Sequence, residues 1–185
     1  MGFFCKSGYN IQLIMVKKIA VTGRPGCGKT TLCKKLIEKS RGDVGGLITE
    51  EIREGGRRVG FTIKDISTDV SSLLAHVDKC SGPEVGRYNV CLDELNSIGT
   101  GAIKNGLIGR GLLIVDEIGP MELKSNEFVK LIESTLDKGI NSVFTIHGKS
   151  RHPLLEKIRE QFYVKRLTRS NRDRVLEKIV KKLKL

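Results

Sequence analysis

Tryptophan is missing from this sequence of 185 residues, and proline is scarce, with four copies. No apolar run approaches the roughly 20 residues that a membrane-spanning helix needs, and polar side chains interrupt residues 1–14 too often for a secretory signal. The five cysteines form no C-x-x-C pair and leave an odd count, so neither a zinc site nor a disulfide framework is predicted. These absences argue against a membrane or a disulfide-rich secreted protein and favour a reducing cytoplasm.

The remaining composition is that of a globular chain. Hydrophobic residues make up 39% and charged residues 29% of the sequence, and the length suits one α/β domain. Met15 directly precedes the first predicted strand. We therefore expect residues 1–14 to be an N-terminal extension and residues 15–185 to be a single domain.

Glycine is plentiful, with 21 copies, and three of them lie in one motif. The motif follows a short apolar strand at residues 19–21 and precedes a stretch with helical periodicity at residues 31–39. It fits the phosphate-binding pattern G-x-x-x-x-G-K-[ST], in which backbone N–H groups and the start of a helix bind a polyphosphate. Lys29 would reach the β- and γ-phosphates, and Thr30 would bind a magnesium ion. With Thr31, the predicted nucleotide-binding residues are Gly23, Arg24, Pro25, Gly26, Cys27, Gly28, Lys29, Thr30 and Thr31.

A second motif consists of four apolar residues, 112–115, followed by Asp116 and Glu117. This pattern is typical of a buried parallel strand that carries carboxylates to the edge of the sheet where ligands bind. We expect Asp116 to hold magnesium and Glu117 to orient and deprotonate water. Glu122 is the rival base, or else an acid that caps a loop or helix.

The pattern along the chain predicts an α/β fold with a mainly parallel sheet flanked by helices. Residues 46–53 and 58–66 flank two glycines and predict an antiparallel β-hairpin, inserted after the first helix. Further predicted strands lie at residues 87–91, 141–146 and 163–167, and predicted helices at residues 92–105, 126–138, 150–159 and 173–183, with Ser150 as a helix N-cap. The pattern of residues 67–86 leaves their structure undecided, with one short helical candidate at residues 71–77.

Positive charge is concentrated at the end of the chain. From Lys149 onward there are 13 Lys or Arg against four Asp or Glu, within a net charge of +12. This asymmetry permits nucleic-acid contact. No aromatic residues alternate with the terminal charges, so a solvated helix face, with arginines that bind a nucleotide, is favoured.

These motifs together resemble the small P-loop nucleoside-triphosphatases, also called the cancer-related NTPase family. The resemblance spans about residues 16–182 and is carried by the P-loop, the early hairpin, residues 115–122 and residues 170–173. It implies a RecA-like sheet and magnesium-dependent hydrolysis of ATP, GTP and other nucleoside triphosphates. It also implies that strand 141–146 lies between the P-loop strand and the Asp116 strand.

The same resemblance suggests three further site residues. His147 would lie near the γ-phosphate as a sensing polar group, unless it is a structural hydrogen-bond partner. Asn171 and Arg172 follow the last strand, where P-loop folds pass the nucleotide base. Arg172 would stack on the base or donate to phosphate oxygens, with pairing to Asp173 as the structural alternative.

Two other functions remain open at this stage. One is a nucleotide or small-molecule kinase on the same scaffold, and the other is a nucleic-acid-associated ATPase switch. Glu117 favours hydrolysis, because a carboxylate beside the magnesium ligand activates water, whereas a kinase must exclude water.

Overall fold

The computed structural model describes residues 16–40 and 42–185, and the extension predicted at residues 1–14 lies outside them. Within these residues the chain forms one sheet of nine strands, in the order β5-β6-β4-β3-β2-β7-β8-β1-β9. The strands are β1 (Lys18–Gly23), β2 (Val44–Glu54), β3 (Arg57–Asp65), β4 (Ser71–His76), β5 (Glu84–Val85), β6 (Tyr88–Val90), β7 (Leu112–Ile118), β8 (Asn141–His147) and β9 (Tyr163–Leu167). The helices are α1 (Lys29–Lys39), α2 (Leu92–Glu94), α3 (Thr100–Leu107), α4 (Asn126–Thr135), α5 (Pro153–Gln161) and α6 (Arg172–Leu183).

Strands β2, β7, β8, β1 and β9 pair in parallel and form the centre of the α/β fold. β8 lies between β1 and β7, as the family resemblance implied. Because the carboxyl ends of parallel strands meet at one edge, the P-loop after β1, the acids at the end of β7 and the end of β8 are brought together.

The other half of the sheet is antiparallel. β2 turns into β3 at Gly55 and Gly56, both of which have positive φ. The pairing of β2 with β7 ends where Ile48 meets Asp116, yet β2 continues to Glu54. The β2–β3 hairpin therefore extends beyond the carboxyl edge of the parallel strands.

The helical candidate at residues 71–77, in the stretch that the sequence left undecided, is not a helix but strand β4. It pairs with β3 on one side and β6 on the other. The backbone hydrogen bonds to these neighbours outweigh the local sequence pattern, which is a weak guide for a segment of this length. The N-cap of α5 is also not Ser150 but His152, whose side chain accepts from the backbone N–H of Leu154.

Alternating residues of the central strands fill two apolar layers. On one face they pack with α3, α4 and α5. On the other face they pack with α1 and α6. A run of consecutive apolar residues such as 112–115 is explained by this arrangement, because a strand between two helical layers is buried on both sides.

Cys80 and Cys91 are joined by a disulfide, with Cα atoms 5.1 Å apart, which corrects the prediction that no disulfide forms. The turn through β5 and β6 reverses the chain and brings the two residues together. The count of cysteines could not reveal this single pair, because other cysteines of the chain, Cys27 and Cys33, are free and buried. Among the described residues no helix has the length and apolar character required to cross a membrane.

Candidate active site

The P-loop connects β1 to α1 in a tight curve. Gly26 and Gly28 have φ of 70° and 103°, a region that L side chains rarely adopt. A side chain on Gly23 would also have no room, since its Cβ would lie 2.6 Å from both Cys27 Sγ and the carbonyl oxygen of Leu167. The glycines therefore let the loop fold closely against β9, and α1 begins directly at Lys29.

Lys29 and Glu117 meet at the carboxyl edge of the sheet. The Nζ of Lys29 lies 3.1 Å from Oε2 of Glu117, and the two side chains are 8% and 26% exposed. Both residues line a cavity of about 780 Å³ at this edge of the sheet. The carboxylate proposed from the sequence as the base is thus beside the lysine proposed to bind the terminal phosphates.

Asp116 precedes Glu117 in the sequence but has a different environment. Its side chain is 1% exposed, and Oδ1 accepts a hydrogen bond of 2.6 Å from the Thr145 hydroxyl. Burial raises the pKa of Asp116, and the neighbouring hydroxyls of Thr145 and Thr30 partly offset this effect. Its Oδ2 is buried and has no hydrogen-bond partner among the described residues.

The residues at this position fit a magnesium ion. An unpaired buried carboxylate oxygen is costly unless a cation or water satisfies it, and Mg²⁺ prefers oxygen ligands with one or two carboxylates and substrate phosphates. Asp116 Oδ2 and the Thr30 hydroxyl supply such oxygens. Thr145 was missed by sequence reasoning, because a threonine inside a buried strand carries no signal until β8 is placed beside β7.

Glu122 lies on a 3₁₀ turn at Glu122–Lys124 and also lines the cavity. Its side chain is 4% exposed, and Oε2 accepts a hydrogen bond of 2.9 Å from the backbone N–H of Gly119. Burial raises the pKa of Glu122 to about 8, with a smaller contribution from the negative charge of Glu117. A carboxyl group that is mainly protonated at neutral pH and caps a loop suits the structural alternative better than the role of a base.

Arg172 contacts the P-loop itself. Its Nε donates to the carbonyl oxygen of Cys27 at 2.6 Å, and a second nitrogen lies 3.4 Å from that of Gly26. Among the described residues Arg172 does not pair with Asp173. The carboxylate of Asp173 instead lies near Lys35, with 3.8 Å between Oδ1 and Nζ. Arg172 thus binds the backbone of the P-loop, and its side chain also lines the cavity.

Asn171 and His147 are both engaged in loop structure. Asn171 accepts from the backbone N–H of Thr168 and donates to the carbonyl oxygen of Arg166. His147, at the end of β8, lines the cavity, and its Nδ1 accepts from the backbone N–H of Ser150 at 3.2 Å. The structure therefore brings His147 to the site and uses the Asn171 side chain in a turn.

A smaller cavity of about 460 Å³ lies on the other side of the P-loop. Arg24, Pro25 and Cys27 line it, together with residues 166–169 at the carboxyl end of β9. The P-loop thus borders two cavities, one that contains Glu117 and one beside the last strand, and Thr31 lines the first.

Comparison with known proteins gives consistent matches over most of the chain. A family model described as NTPase matches residues 18–180. The nucleoside-triphosphatase THEP1 of Methanosarcina acetivorans is 45% identical over 166 residues, covering 88% of this chain and 94% of that protein. THEP1 of Archaeoglobus fulgidus is 44% identical over 166 residues, covering 89% and 97%.

Two solved structures have the same fold. The crystal structure of THEP1 from Aquifex aeolicus matches with a TM-score of 0.82 at 32% identity and covers 91% of this chain and 99% of that one. The solution structure of a human cancer-related nucleoside triphosphatase gives a TM-score of 0.74 at 32% identity and covers 91% and 97%. The family resemblance drawn from the motifs is confirmed: the chain belongs to the NTPase family and is an enzyme that hydrolyses nucleoside triphosphates.

Proposed function

We propose that the chain hydrolyses the bond between the β- and γ-phosphates with Glu117 as the catalytic base and Mg²⁺ as cofactor. The observation that carries the proposal is the contact of 3.1 Å between Lys29 and Glu117 inside the cavity. A lysine at this place in a P-loop binds the β- and γ-phosphates. A triphosphate on the loop would therefore present its γ-phosphate beside the Glu117 carboxylate.

Binding of the substrate would change the partner of Lys29. The triphosphate is more highly charged than a single carboxylate and competes for the ammonium group. Glu117 would then be released next to the γ-phosphate, where it can orient a water molecule and accept its proton. Lys29, the P-loop N–H groups and the start of α1 would stabilise the charge on the phosphate oxygens.

Asp116 and Thr30 are the residues that would hold magnesium. The ion, when bound, would neutralise the negative charge that develops on the phosphate oxygens. Thr145 would orient the Asp116 carboxylate by keeping Oδ1 occupied, which leaves Oδ2 for the ion or for its water. Loss of turnover on chelation and its recovery with added Mg²⁺ would test this assignment.

Base selectivity should be low. The P-loop contacts phosphates, which ATP, GTP and other nucleoside triphosphates share, and the Asn171 side chain is already bonded to the loop of residues 166–168. We further infer that the β2–β3 hairpin is an insertion into a RecA-like sheet, supported by its extension past the end of β7.

The substitutions Glu117→Gln and Glu122→Gln test the role of the base, because they make the same chemical change at two carboxyl groups of one cavity. We expect Glu117→Gln to retain triphosphate affinity and to lower turnover by roughly 10²–10⁴-fold, the usual contribution of general acid–base catalysis. Glu122→Gln should stay within a few-fold of wild-type turnover at pH 7, since the amide resembles the protonated acid. Wild-type hydrolysis by Glu117→Gln, or an equal loss in Glu122→Gln, would reject the assignment.

A further inference from the structure

The cavity that contains Glu117 has a second wall, which the hydrolysis of a triphosphate does not use. It is formed by the β2–β3 hairpin and by β6, and includes Glu51, Arg58, Phe61 and Tyr88. In the sheet, Ile48 is level with Asp116 and Glu51 is level with Phe61. Phe61 is therefore three residues, or roughly 10 Å, past Asp116 along the strand direction.

The direction of a bound triphosphate follows from the P-loop. The γ-phosphate is the end nearest Lys29 and Glu117, and these residues line the same cavity as the second wall. The base has a different place available, in the cavity of about 460 Å³ beside β9. The second wall is thus on the side from which another molecule would approach the γ-phosphate.

Arg58 is held in a fixed position on this wall. Its Nε donates to the Tyr88 hydroxyl at 3.0 Å and its Nη1 to Oε1 of Glu51 at 2.7 Å. The guanidinium also lies over the Phe61 ring, 5.0 Å from its centre. Two of its five N–H donors are used in these bonds, so three remain for a ligand.

A second arginine increases the positive charge here. Arg87 donates to the same Tyr88 hydroxyl at 3.2 Å and to the carbonyl oxygen of Arg58. The nearby carboxylates are already paired, Glu51 with Arg58 and Glu50 with Lys34. Charge-assisted hydrogen bonds from a pre-positioned guanidinium are the usual means of binding a phosphate.

The rest of the wall is apolar. Phe61 packs edge-on against Tyr88, with ring centres 5.3 Å apart, and Leu74, Val85 and Met121 line the same cavity. Aromatic and aliphatic side chains around one or two fixed polar groups are typical of sites for ring-containing ligands. The wall therefore combines an anion-binding group with a surface for a planar ring.

We propose that this wall binds a nucleoside monophosphate, with its phosphate on Arg58 and its base against the apolar side chains, as an acceptor of the γ-phosphoryl group. The proposal rests on the proposed placement of the triphosphate on the P-loop. In the transfer, an oxygen of the acceptor phosphate forms a bond to the γ-phosphorus, and the bond from the γ-phosphorus to the bridging oxygen breaks. The electron pair of that bond remains on the departing diphosphate, and two nucleoside diphosphates result.

This reaction differs from hydrolysis in its need for a base. The acceptor phosphate oxygen is already ionised at neutral pH, so no proton has to be removed, whereas water must lose one. Glu117→Gln should consequently suppress hydrolysis and spare the transfer. The ratio of transfer to hydrolysis should rise in this variant by roughly tenfold or more.

The experiment incubates the whole chain with Mg²⁺, ATP radiolabelled on the γ-phosphate and one of AMP, GMP, CMP and UMP at a time. Labelled inorganic phosphate, the product of hydrolysis, is then separated from labelled diphosphates, the products of transfer. We expect labelled diphosphate with at least one monophosphate. Arg58→Ala should lower the transfer-to-hydrolysis ratio by roughly ten- to a hundredfold, the effect of losing a hydrogen bond to a charged group. Arg57→Ala is the matched control, because adjacent strand residues point to opposite faces, and it should keep the wild-type ratio.

The outcomes separate this proposal from the proposed function. Hydrolysis that depends on Lys29, without diphosphate formation from any monophosphate, would overturn the acceptor site alone. An Arg58→Ala variant with a raised KM for ATP and an unchanged transfer ratio would mean that the wall holds the base of the triphosphate, and would also overturn it. Hydrolysis that is independent of Lys29 would instead reject the placement of the triphosphate.

Discussion

The buried carboxyl group of Glu122 should make the stability of the fold depend on pH. Burial raises its folded-state pKa to about 8, against an ordinary value of 4.5. Between these two values the folded state binds more protons at this position than the unfolded state does. Because stability falls with rising pH wherever the folded state binds more protons, Glu122 should lower the free energy of unfolding progressively as the pH rises from about 4.5 to about 8.

The size of this effect follows from the two pKa values of Glu122. A shift of one pKa unit corresponds to about 1.4 kcal/mol. The difference between 4.5 and about 8 therefore gives an upper limit of roughly 5 kcal/mol at pH values above 8. The hydrogen bond from the Gly119 N–H favours the ionised form and is already included in the balance.

Urea unfolding of wild type, Glu122→Gln and Glu127→Gln at several pH values between 5 and 9 measures this contribution. Glu127 is an exposed residue in the first turn of α4, so its substitution controls for the loss of a carboxylate. Glu122→Gln can shift stability by a constant amount through its amide hydrogens, but it should make the downward slope shallower by the part that Glu122 contributes. An unchanged slope would refute the inferred burial of an uncharged carboxyl group, whatever the constant shift.

Three other substitutions or conditions test the rest of the site. Lys29→Ala should lower triphosphate turnover by roughly 10²-fold or more, because it removes the positive charge that contacts the β- and γ-phosphates. Turnover at the wild-type rate would contradict the site. Arg172→Ala should raise the KM for the triphosphate by roughly tenfold through loss of its bond to the Cys27 carbonyl; unchanged affinity and turnover would show that Arg172 supports neither loop nor ligand. RNA binding measured by fluorescence anisotropy should be weak and fall steeply with salt, and tight binding at physiological salt that stimulates hydrolysis would favour the nucleic-acid-associated switch.

A cluster of one aromatic and two basic side chains lies at the edge strand β9, and it is the surface that the RNA experiment tests. Tyr163 is 47% exposed, and Lys165 and Lys182 place their ammonium groups 4.1 Å and 4.5 Å from the centre of its ring. These lysines are 17 residues apart in the sequence, so no local pattern indicated that both ammonium groups lie on one aromatic ring. Lysines on an edge strand also protect it from pairing with other chains, which is the simpler explanation.

The parts of the site that sequence reasoning found are local in the chain. The P-loop and the acids after β7 each consist of neighbouring residues whose spacing determines their chemistry. Thr145 and the bond from Arg172 to Cys27 depend on long-range packing, and the latter spans 145 residues. No local pattern specifies such a contact, and the β8 position inferred from the family resemblance did not by itself single out Thr145.

The antiparallel half of the sheet was predicted least well for a related reason. β5 and β6 have two and three residues, which is too short for a periodic pattern to develop. Strand β4 owes its conformation to pairing with β3 and β6. The same short strands bring Cys80 and Cys91 together. The uncertainty about the local structure of this region therefore explains why neither strand β4 nor the disulfide was predicted.

The three acidic residues around the end of β7 show how burial divides their roles. Asp116 is enclosed and holds one unpaired oxygen, which suits a metal ligand. Glu117 opens into the cavity and lies beside Lys29, which suits the proposed role of a base. Glu122 is buried without a cation, and its raised pKa keeps it mainly neutral near pH 7, so it adds little repulsion to an approaching triphosphate. A second ionised carboxylate at that position would oppose the binding of every phosphate in the cavity. The neutral form of Glu122 would therefore favour phosphate binding, even without the proposed role of a base.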